Sequence, residues 1–189
     1  PGDIQWMTAG GGVIHQEMPQ RTEGLMHGLQ LWVNLPARHK MMQPRYRGVL
    51  GDELPVVAIP GGEVRVISGS YGGATGPVRE LMVDVEYLDV RLNKGTAMSH
   101  TTRRGRTVFC YLIHGAGEFD GINLEQSQLA LFTGNGGIAV KADEDIHYIF
   151  VSGKRLDEPV AWGGPIVMNT QEELDTAFRE LEEGSFIKN

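Results

Sequence analysis

Short apolar stretches recur along most of the chain, and glycine or proline separates one from the next. Such stretches predict strands, because apolar or alternating runs between turn residues are typical of sheets. The predicted strands are Ile4–Met7, Val13–Met18, Leu29–Leu35, Glu63–Ser68, Leu81–Leu92, Thr107–Ile113, Gln128–Phe132, Ile138–Lys141 and His147–Ser152. Many short strands with glycine-rich turns and little helix predict an all-β sandwich or barrel.

One helix is predicted at the C-terminus. Thr170 and Glu173 have the spacing of a capping box, in which each side chain accepts a hydrogen bond from a free backbone N–H group. Gly184 is well placed to end the helix. The residues of its apolar face follow at helical spacing: Leu174, Ala177, Phe178 and Leu181. We expect this face to pack against a barrel, and binding of a partner is the alternative.

Between the first strands and the rest, residues 38–60 show little periodicity and contain three prolines, Pro44, Pro55 and Pro60. This composition predicts a linker that runs over a surface. The sequence therefore divides into a first region over residues 1–37, a linker over residues 38–60, and a second region over residues 61–189.

Composition narrows the function classes. The formal net charge of −7 argues against direct binding of nucleic acid, which needs a positive face. No apolar run approaches the length of about 20 residues that spans a bilayer, so no membrane association is expected. A single cysteine, Cys110, lies within an apolar strand, where burial would raise its pKa and leave the thiol inert. A chain that forms no internal disulfide suits the cytoplasm, or also the nucleus in a eukaryote.

Several motifs resemble the pirin family. The segment from Gly2 to Gly10 and the segment from Gly12 to Pro19 look like the signature at the end of that family's N-terminal barrel. His27–Leu35 looks like the strand that follows it, and Glu158–Thr170 contains the family's closing segment. The resemblance implies a bicupin: two jelly-roll-like cupin barrels, with the C-terminal helix closing the second. It also implies that residues 1–37 are the end of an incomplete N-terminal barrel and residues 61–189 the C-terminal barrel.

The resemblance implies a metal site that includes His15 and Glu17. Pirins hold one metal, Fe(II) or another divalent transition metal, between an early His-x-His pair and a late His-x-Glu pair. His15 and Glu17 match the late pair, and residues two apart on a strand share a face. No histidine precedes His15 in the sequence, so the site is expected to be incomplete in this chain. On spacing alone, such a pair is more typical of a solvated strand surface.

The second barrel offers weaker candidates for a metal site. Gly95 and His100 match the start of a cupin metal motif, but no second histidine or nearby glutamate follows. His147 could approach the same face, but the two histidines lack a third ligand, so we expect this barrel to hold no metal and both histidines to be structural or surface residues. The glycine-rich stretch Gly69–Gly76 opens no helix and does not predict a phosphate loop. The basic run Arg103–Arg106 is predicted to be a solvated hairpin tip, with contact to an acidic partner as the alternative.

The resemblance leaves two functions open. As an enzyme, the protein would be a quercetin 2,3-dioxygenase, which opens the ring of a flavonol-like small molecule with O₂ at the metal. Glu17 would then also be the catalytic base, taking the proton of the flavonol 3-hydroxyl group. As a non-enzymatic binding module, it would be a metal-dependent transcriptional co-regulator with a protein partner. The sequence does not choose between the two functions.

Overall fold

Strands dominate the computed structural model, which describes residues 2–18, 27–133 and 136–188. Two short 3₁₀ turns lie at Ala37–His39 and Gly51–Glu53, and one α-helix, α1, covers Gln171–Glu182. The strands are β1 (Ile4–Thr8), β2 (Arg45–Val49), β3 (Val56–Ile59), β4 (Gly62–Ser68), β5 (Ser70–Tyr71), β6 (Ala74–Thr75), β7 (Val85–Leu92), β8 (Ala97–His100), β9 (Arg106–His114), β10 (Ala116–Phe119), β11 (Ile122–Glu125), β12 (Leu129–Phe132), β13 (Ile138–Ala142), β14 (Ile146–Lys154), β15 (Ala161–Gly163) and β16 (Ile166–Met168). The all-β prediction is confirmed.

Contacts divide the chain into two units. The first comprises Pro1–Trp6 and Arg47–Arg155, and the second comprises Met7–Tyr46 and Leu156–Asn189. Residues 156–188, with the helix, are thus grouped with the early part of the chain. The predicted boundaries at residues 37/38 and 60/61 remain a prediction.

Two antiparallel sheets build the barrel of the first unit. The larger has the strand order β12-β9-β14-β7-β4-β3, and the smaller has the order β11-β10-β13-β8. In β14, which pairs with both β7 and β9, Tyr148 and Phe150 turn their side chains to one face and Ile149 and Val151 to the other. All four are buried, as expected for a central strand that is covered on both faces.

One apolar core lies between the two sheets. The larger sheet gives it every second residue of its strands, for example Leu88, Val90 and Leu92 from β7, because side chains alternate between faces. The buried residues from the larger sheet also include Val64, Val66, Val108, Cys110, Leu112, Ala130, Ile146, Tyr148 and Phe150, and those from the smaller sheet are Met98, Phe119, Leu124, Ile138, Val140 and Ala142. The two sheets therefore close into one barrel around a shared interior.

A second apolar cluster covers the outer face of the larger sheet. Its buried members are Val49, Leu54, Ile67 and Val78, with Ile4, Trp6, Leu81 and Tyr87 packed against them. Ile67 follows the inward-facing Val66, so the alternation of β4 turns it to the outer face, where it joins this cluster. The larger sheet therefore has an apolar outer face as well as an apolar inner one.

The helix begins as the sequence predicts. The backbone N–H of Glu173 donates to the Thr170 hydroxyl at 3.2 Å, and the N–H of Thr170 donates to the Glu173 carboxylate at 3.0 Å. Its buried face packs on the hairpin of β15 and β16, where Leu174 and Ala177 meet Ile166. The helix thus packs on this hairpin within the second unit, and the expected packing on a barrel stays a prediction.

Some strand predictions fail. The strands predicted at Val13–Met18 and Leu29–Leu35 are wrong, since neither segment is assigned as a strand. Alternating apolar residues favour extended backbone, but a strand also needs a neighbour for its hydrogen bonds, and these segments join no ladder among the described residues. The predicted linker, in contrast, contains β2 and β3, and β3 forms an edge of the larger sheet. Within the described residues, no helix combines the length and apolarity needed to cross a bilayer.

Candidate functional site

The predicted metal ligands His15 and Glu17 lie together on an exposed segment of the second unit. His15 Nδ1 is 3.5 Å from Glu17 Oε1, and the two side chains are 43% and 63% exposed. An imidazole and a carboxylate are thus both directed to the same patch of solvent. At this exposure, the attraction between the two groups is worth little to stability.

A glycine turn leads into this segment. Gly10 has a φ of +53°, and a Cβ atom at that position would collide with the carbonyl oxygen of Met42. Gly11 donates its N–H to the same oxygen at 2.8 Å. Gly12 has a φ of +132°, and a Cβ there would lie 2.6 Å from the ring of Phe186. Glycine is therefore required at Gly10 and Gly12, both by backbone conformation and by space.

The donor types of this pair fit a transition metal, but their number does not complete a site. A histidine nitrogen and a carboxylate oxygen are the ligand types of non-haem Fe(II). In the described parts of the chain, no cluster of three or more His, Cys, Asp or Glu residues could hold an ion. His15 and Glu17 are thus two candidate ligands and remain a prediction.

Inside the barrel, the structure pairs His100 with a residue that the sequence analysis missed. His100 Nε2 lies 2.9 Å from Glu86 Oε1, and the side chains are only 11% and 16% exposed. Glu86 stands on the inner face of β7, in line with Leu88 and Val90. The sequence does contain a signal for Glu86. Its carboxylate stands at a position of β7 where the alternation with Leu88 and Val90 predicts an apolar side chain.

His100 and His147 do not meet. His147 lies on the outer face of β14, because its neighbour Tyr148 points into the core, and its Nε2 is 2.8 Å from Asp89 Oδ1. His100 faces the interior from β8. The possibility that the two histidines approach one face is therefore wrong, and each has an acidic partner of its own.

The basic run at residues 103–106 is only partly a solvated tip. Arg103 is 82% exposed, but the side chain of Arg106 is 7% exposed. Arg106 donates to Ser152 Oγ at 2.6 Å, to Asp84 Oδ2 at 2.6 Å and to the carbonyl oxygens of both residues. The hydrogen bond from Arg106 holds the pKa of Asp84 below its usual value, although partial burial opposes this effect. Arg106 thus links β14 to the start of β7 at one end of the larger sheet.

Burial controls the ionisation of several interior groups. It raises the pKa of the Cys110 thiol, as the sequence analysis predicts, and the side chain has no exposed surface. Burial also raises the pKa of Tyr148, whose hydroxyl contacts Met98 Sδ at 3.5 Å. Tyr87, in the outer cluster, has its pKa raised to about 12, mainly by burial and further by Asp89. These groups stay neutral at physiological pH, so they give the core no charge.

Comparison with known proteins identifies the family. The model of the pirin C-terminal cupin domain matches residues 87–187, and the pirin model matches residues 1–33. A pirin-like protein from Caulobacter vibrioides is 40% identical, over 98% of this chain and 68% of its own length. Human pirin is 38% identical over 97% of this chain and 66% of its own length.

A solved structure has the same fold. The crystal structure of quercetin 2,3-dioxygenase from Acinetobacter baumannii superimposes with a TM-score of 0.85 at 29% sequence identity, and the match covers 98% of this chain and 67% of that chain. The predicted cupin fold is therefore confirmed, with two sheets closed around one core in the barrel of the first unit. By its sequence and its fold, the chain belongs to the pirin family.

Proposed function

We propose that this chain is the greater part of a metal-dependent pirin that acts as a quercetin 2,3-dioxygenase, with His15 and Glu17 among the metal ligands. The observation that carries the proposal is the pairing of these two side chains, 3.5 Å apart on an exposed segment. That segment lies within residues 1–33, which match the pirin model. The similar structure from Acinetobacter baumannii, a quercetin 2,3-dioxygenase, supports the choice of reaction.

The residues of this chain would have separate tasks in such a reaction. When bound, the metal would supply the site at which flavonol and O₂ are held. Glu17 would take the proton of the flavonol 3-hydroxyl group, which makes the ring electron-rich enough to react with O₂. His15 would be a metal ligand beside Glu17, whose Oε1 lies 3.5 Å from its Nδ1. The glycine turn at residues 10–12 would fix where the segment starts.

The test uses a polypeptide of the full length of the relatives, compared with the 189-residue chain. In the longer protein, we expect His15→Ala and Glu17→Ala each to weaken Fe(II) binding by more than the roughly 10- to 100-fold that loss of an outer-shell partner costs. Oxygen uptake with quercetin should be lost in both variants. In the 189-residue chain, the same substitutions should change little, because two ligands cannot hold the ion tightly.

A control and a contrary result define the outcome. His114→Ala removes an exposed histidine of the barrel and should leave iron content and oxygen uptake unchanged. Stoichiometric Fe(II) binding by the 189-residue chain that survives His15→Ala would show that the assigned ligands are wrong. Full iron content without oxygen uptake in the longer protein would overturn the enzymatic proposal and favour the co-regulator alternative.

A further inference from the structure

One ring nitrogen of His100 is hydrogen-bonded to a carboxylate, and the other has no hydrogen-bond partner among the described residues. Nε2 is bonded to Glu86 at 2.9 Å, and Nδ1 makes no hydrogen bond in the described part of the chain. No described side-chain nitrogen or oxygen is both buried and without a partner, so solvent reaches Nδ1. A carboxylate beside Nε2 favours the tautomer with its proton on that nitrogen. Nδ1 then presents a lone pair, and Glu86 stabilises the imidazolium that forms when Nδ1 takes a proton.

Two aromatic rings flank this imidazole. The ring of Phe150 meets it edge-on at a centroid distance of 4.9 Å, and the ring of Tyr71 lies tilted at 5.4 Å. The Tyr71 hydroxyl also has no hydrogen bond among the described residues, and by the same argument it faces solvent. A proton acceptor, a hydroxyl group and the ring of Tyr71 therefore lie together, with the buried Phe150 ring behind the imidazole, and aromatic rings pack well against such rings.

Glycines help to place Tyr71 and Glu86 beside His100. Tyr71 is carried by the short hairpin of β5 and β6, whose turn residues Gly72 and Gly73 have φ values of +54° and +85°. Gly69, with a φ of +82°, lies against Glu86, and a Cβ there would be 3.2 Å from the glutamate Cα, Cβ and Cγ atoms. The glycine-rich stretch that opens no helix thus has a role: it brings a hairpin over the His100–Glu86 pair.

We propose that Glu86 and His100 form an acid–base site in the barrel of the first unit, which binds small aromatic compounds with a weakly acidic hydroxyl group. On binding, the hydroxyl O–H bond breaks, its proton passes to His100 Nδ1, and the electron pair stays on the oxygen as a phenolate. The phenolate and the imidazolium then form an ion pair, with Glu86 balancing the imidazolium on its far side. The proposed site uses neither His15 nor Glu17.

The test is a titration of the 189-residue chain with 4-nitrophenol, whose phenolate form has its own visible absorption band, in the presence of a metal chelator. A saturable rise of the phenolate band is expected. His100→Gln should abolish the rise. Glu86→Gln should reduce the rise, because the carboxylate that lies 2.9 Å from the imidazole and balances the imidazolium charge is then lost.

The matched control is His147→Gln. It changes a histidine that also pairs with an acidic residue, at 2.8 Å, but on the outer face of the sheet, and it should leave the titration unchanged. A phenolate band that persists in His100→Gln, or that His147→Gln reduces equally, would overturn the proposal.

A second measurement needs no variant. In the unmodified chain with ¹⁵N-labelled histidine, saturating 4-nitrophenol should move the Nδ1 resonance of His100 toward its protonated position. If that resonance does not move, the proposal is wrong, even where a His100 variant fails to fold. Because a chelator is present and His15 and Glu17 are unchanged, failure here leaves the proposed dioxygenase function untouched.

Discussion

Arg106 carries a full positive charge on a side chain that is only 7% exposed. Burying a charge is costly unless it is paired and hydrogen-bonded. Here the guanidinium donates four hydrogen bonds to two residues, Asp84 and Ser152, which lie at the ends of adjoining strands. At the scale of single residues, this network is the clearest electrostatic feature of the barrel, and Asp84 is the group through which pH acts on it.

Asp84→Asn should lower the free energy of unfolding at neutral pH by about 0.2–1 kcal/mol, the range for exposed ion pairs, since half of the Asp84 side chain is exposed. Arg106 lowers the folded-state pKa of Asp84 below the ordinary 3.8. Its stabilisation is therefore complete above that value and disappears as the pH falls through the lower, folded-state pKa. Urea unfolding at several pH values should show the two proteins converging in acid.

The control for this pH series is Asp143→Asn, which changes an exposed aspartate just after β13. It should leave the stability within about 0.5 kcal/mol at neutral pH. A difference between Asp84→Asn and the unmodified protein that stays constant from neutral to acidic pH would contradict the assignment.

At the scale of elements, the sequence predicts the long strands of the barrel and a few short ones, such as β12 and β13, but misses other short strands. β7, β9 and β14 have the apolar content and length that mark strands, so each predicted end lies within four residues of the observed end. β10 and β11 contain Gly117 and Asn123, which are unfavourable in strands, and they form because neighbouring strands supply hydrogen bonds. Tertiary pairing of this kind leaves no local signal.

For the candidate sites, too, the sequence predicts some features and misses others. The interior position of Glu86 is readable from the alternation that it shares with Leu88. Its contact with His100 is not, because β7 and β8 belong to different sheets and only closure of the barrel brings them together. His15 and Glu17 were found through family resemblance, since two exposed residues two apart carry little information by themselves.

The capping box of α1 gives the prediction at this scale. Thr170→Ala removes the hydroxyl that accepts from the Glu173 N–H, so it should lower the free energy of unfolding by about 1 kcal/mol. Thr170→Ser keeps the hydroxyl acceptor and should lower the free energy of unfolding by only a few tenths of that ~1 kcal/mol. Thermal unfolding followed by circular dichroism compares the three proteins, and an equal loss in both variants would argue against the cap.

At the scale of the whole molecule, the second unit exposes large apolar side chains. Ile14 is 73% exposed, Met18 76%, Trp32 60% and Trp162 71%. Residues 27–33 also join no ladder with any other residue that the structure describes, and backbone groups outside a sheet favour pairing with another chain. The unit therefore has exposed apolar area together with a segment outside the described sheets, and both promote association.

We expect the 189-residue chain to self-associate at working concentrations, as measured by light scattering. Trp32→Ser should shift the equilibrium toward monomer, because it removes apolar surface from the exposed segment. Leu131→Ser, which changes a side chain of the barrel that is 57% exposed, is the control and should have less effect. A stable monomer of the unmodified chain would refute the expectation.

The position of β14 in the sheet has a consequence for how the chain acquires its structure. β14 lies between β7 and β9, so the centre of the sheet joins residues 85–92 to residues 146–154. Contacts between such distant residues slow folding, because a long loop must close before they form. During synthesis, strands β3, β4 and β7 leave the ribosome before their central neighbour exists, and their apolar faces stay uncovered for that interval. The barrel cannot be completed until Ile146–Lys154 has been synthesised. Pairing of this late segment with β7 and β9 is therefore the step that completes the fold of the nascent chain.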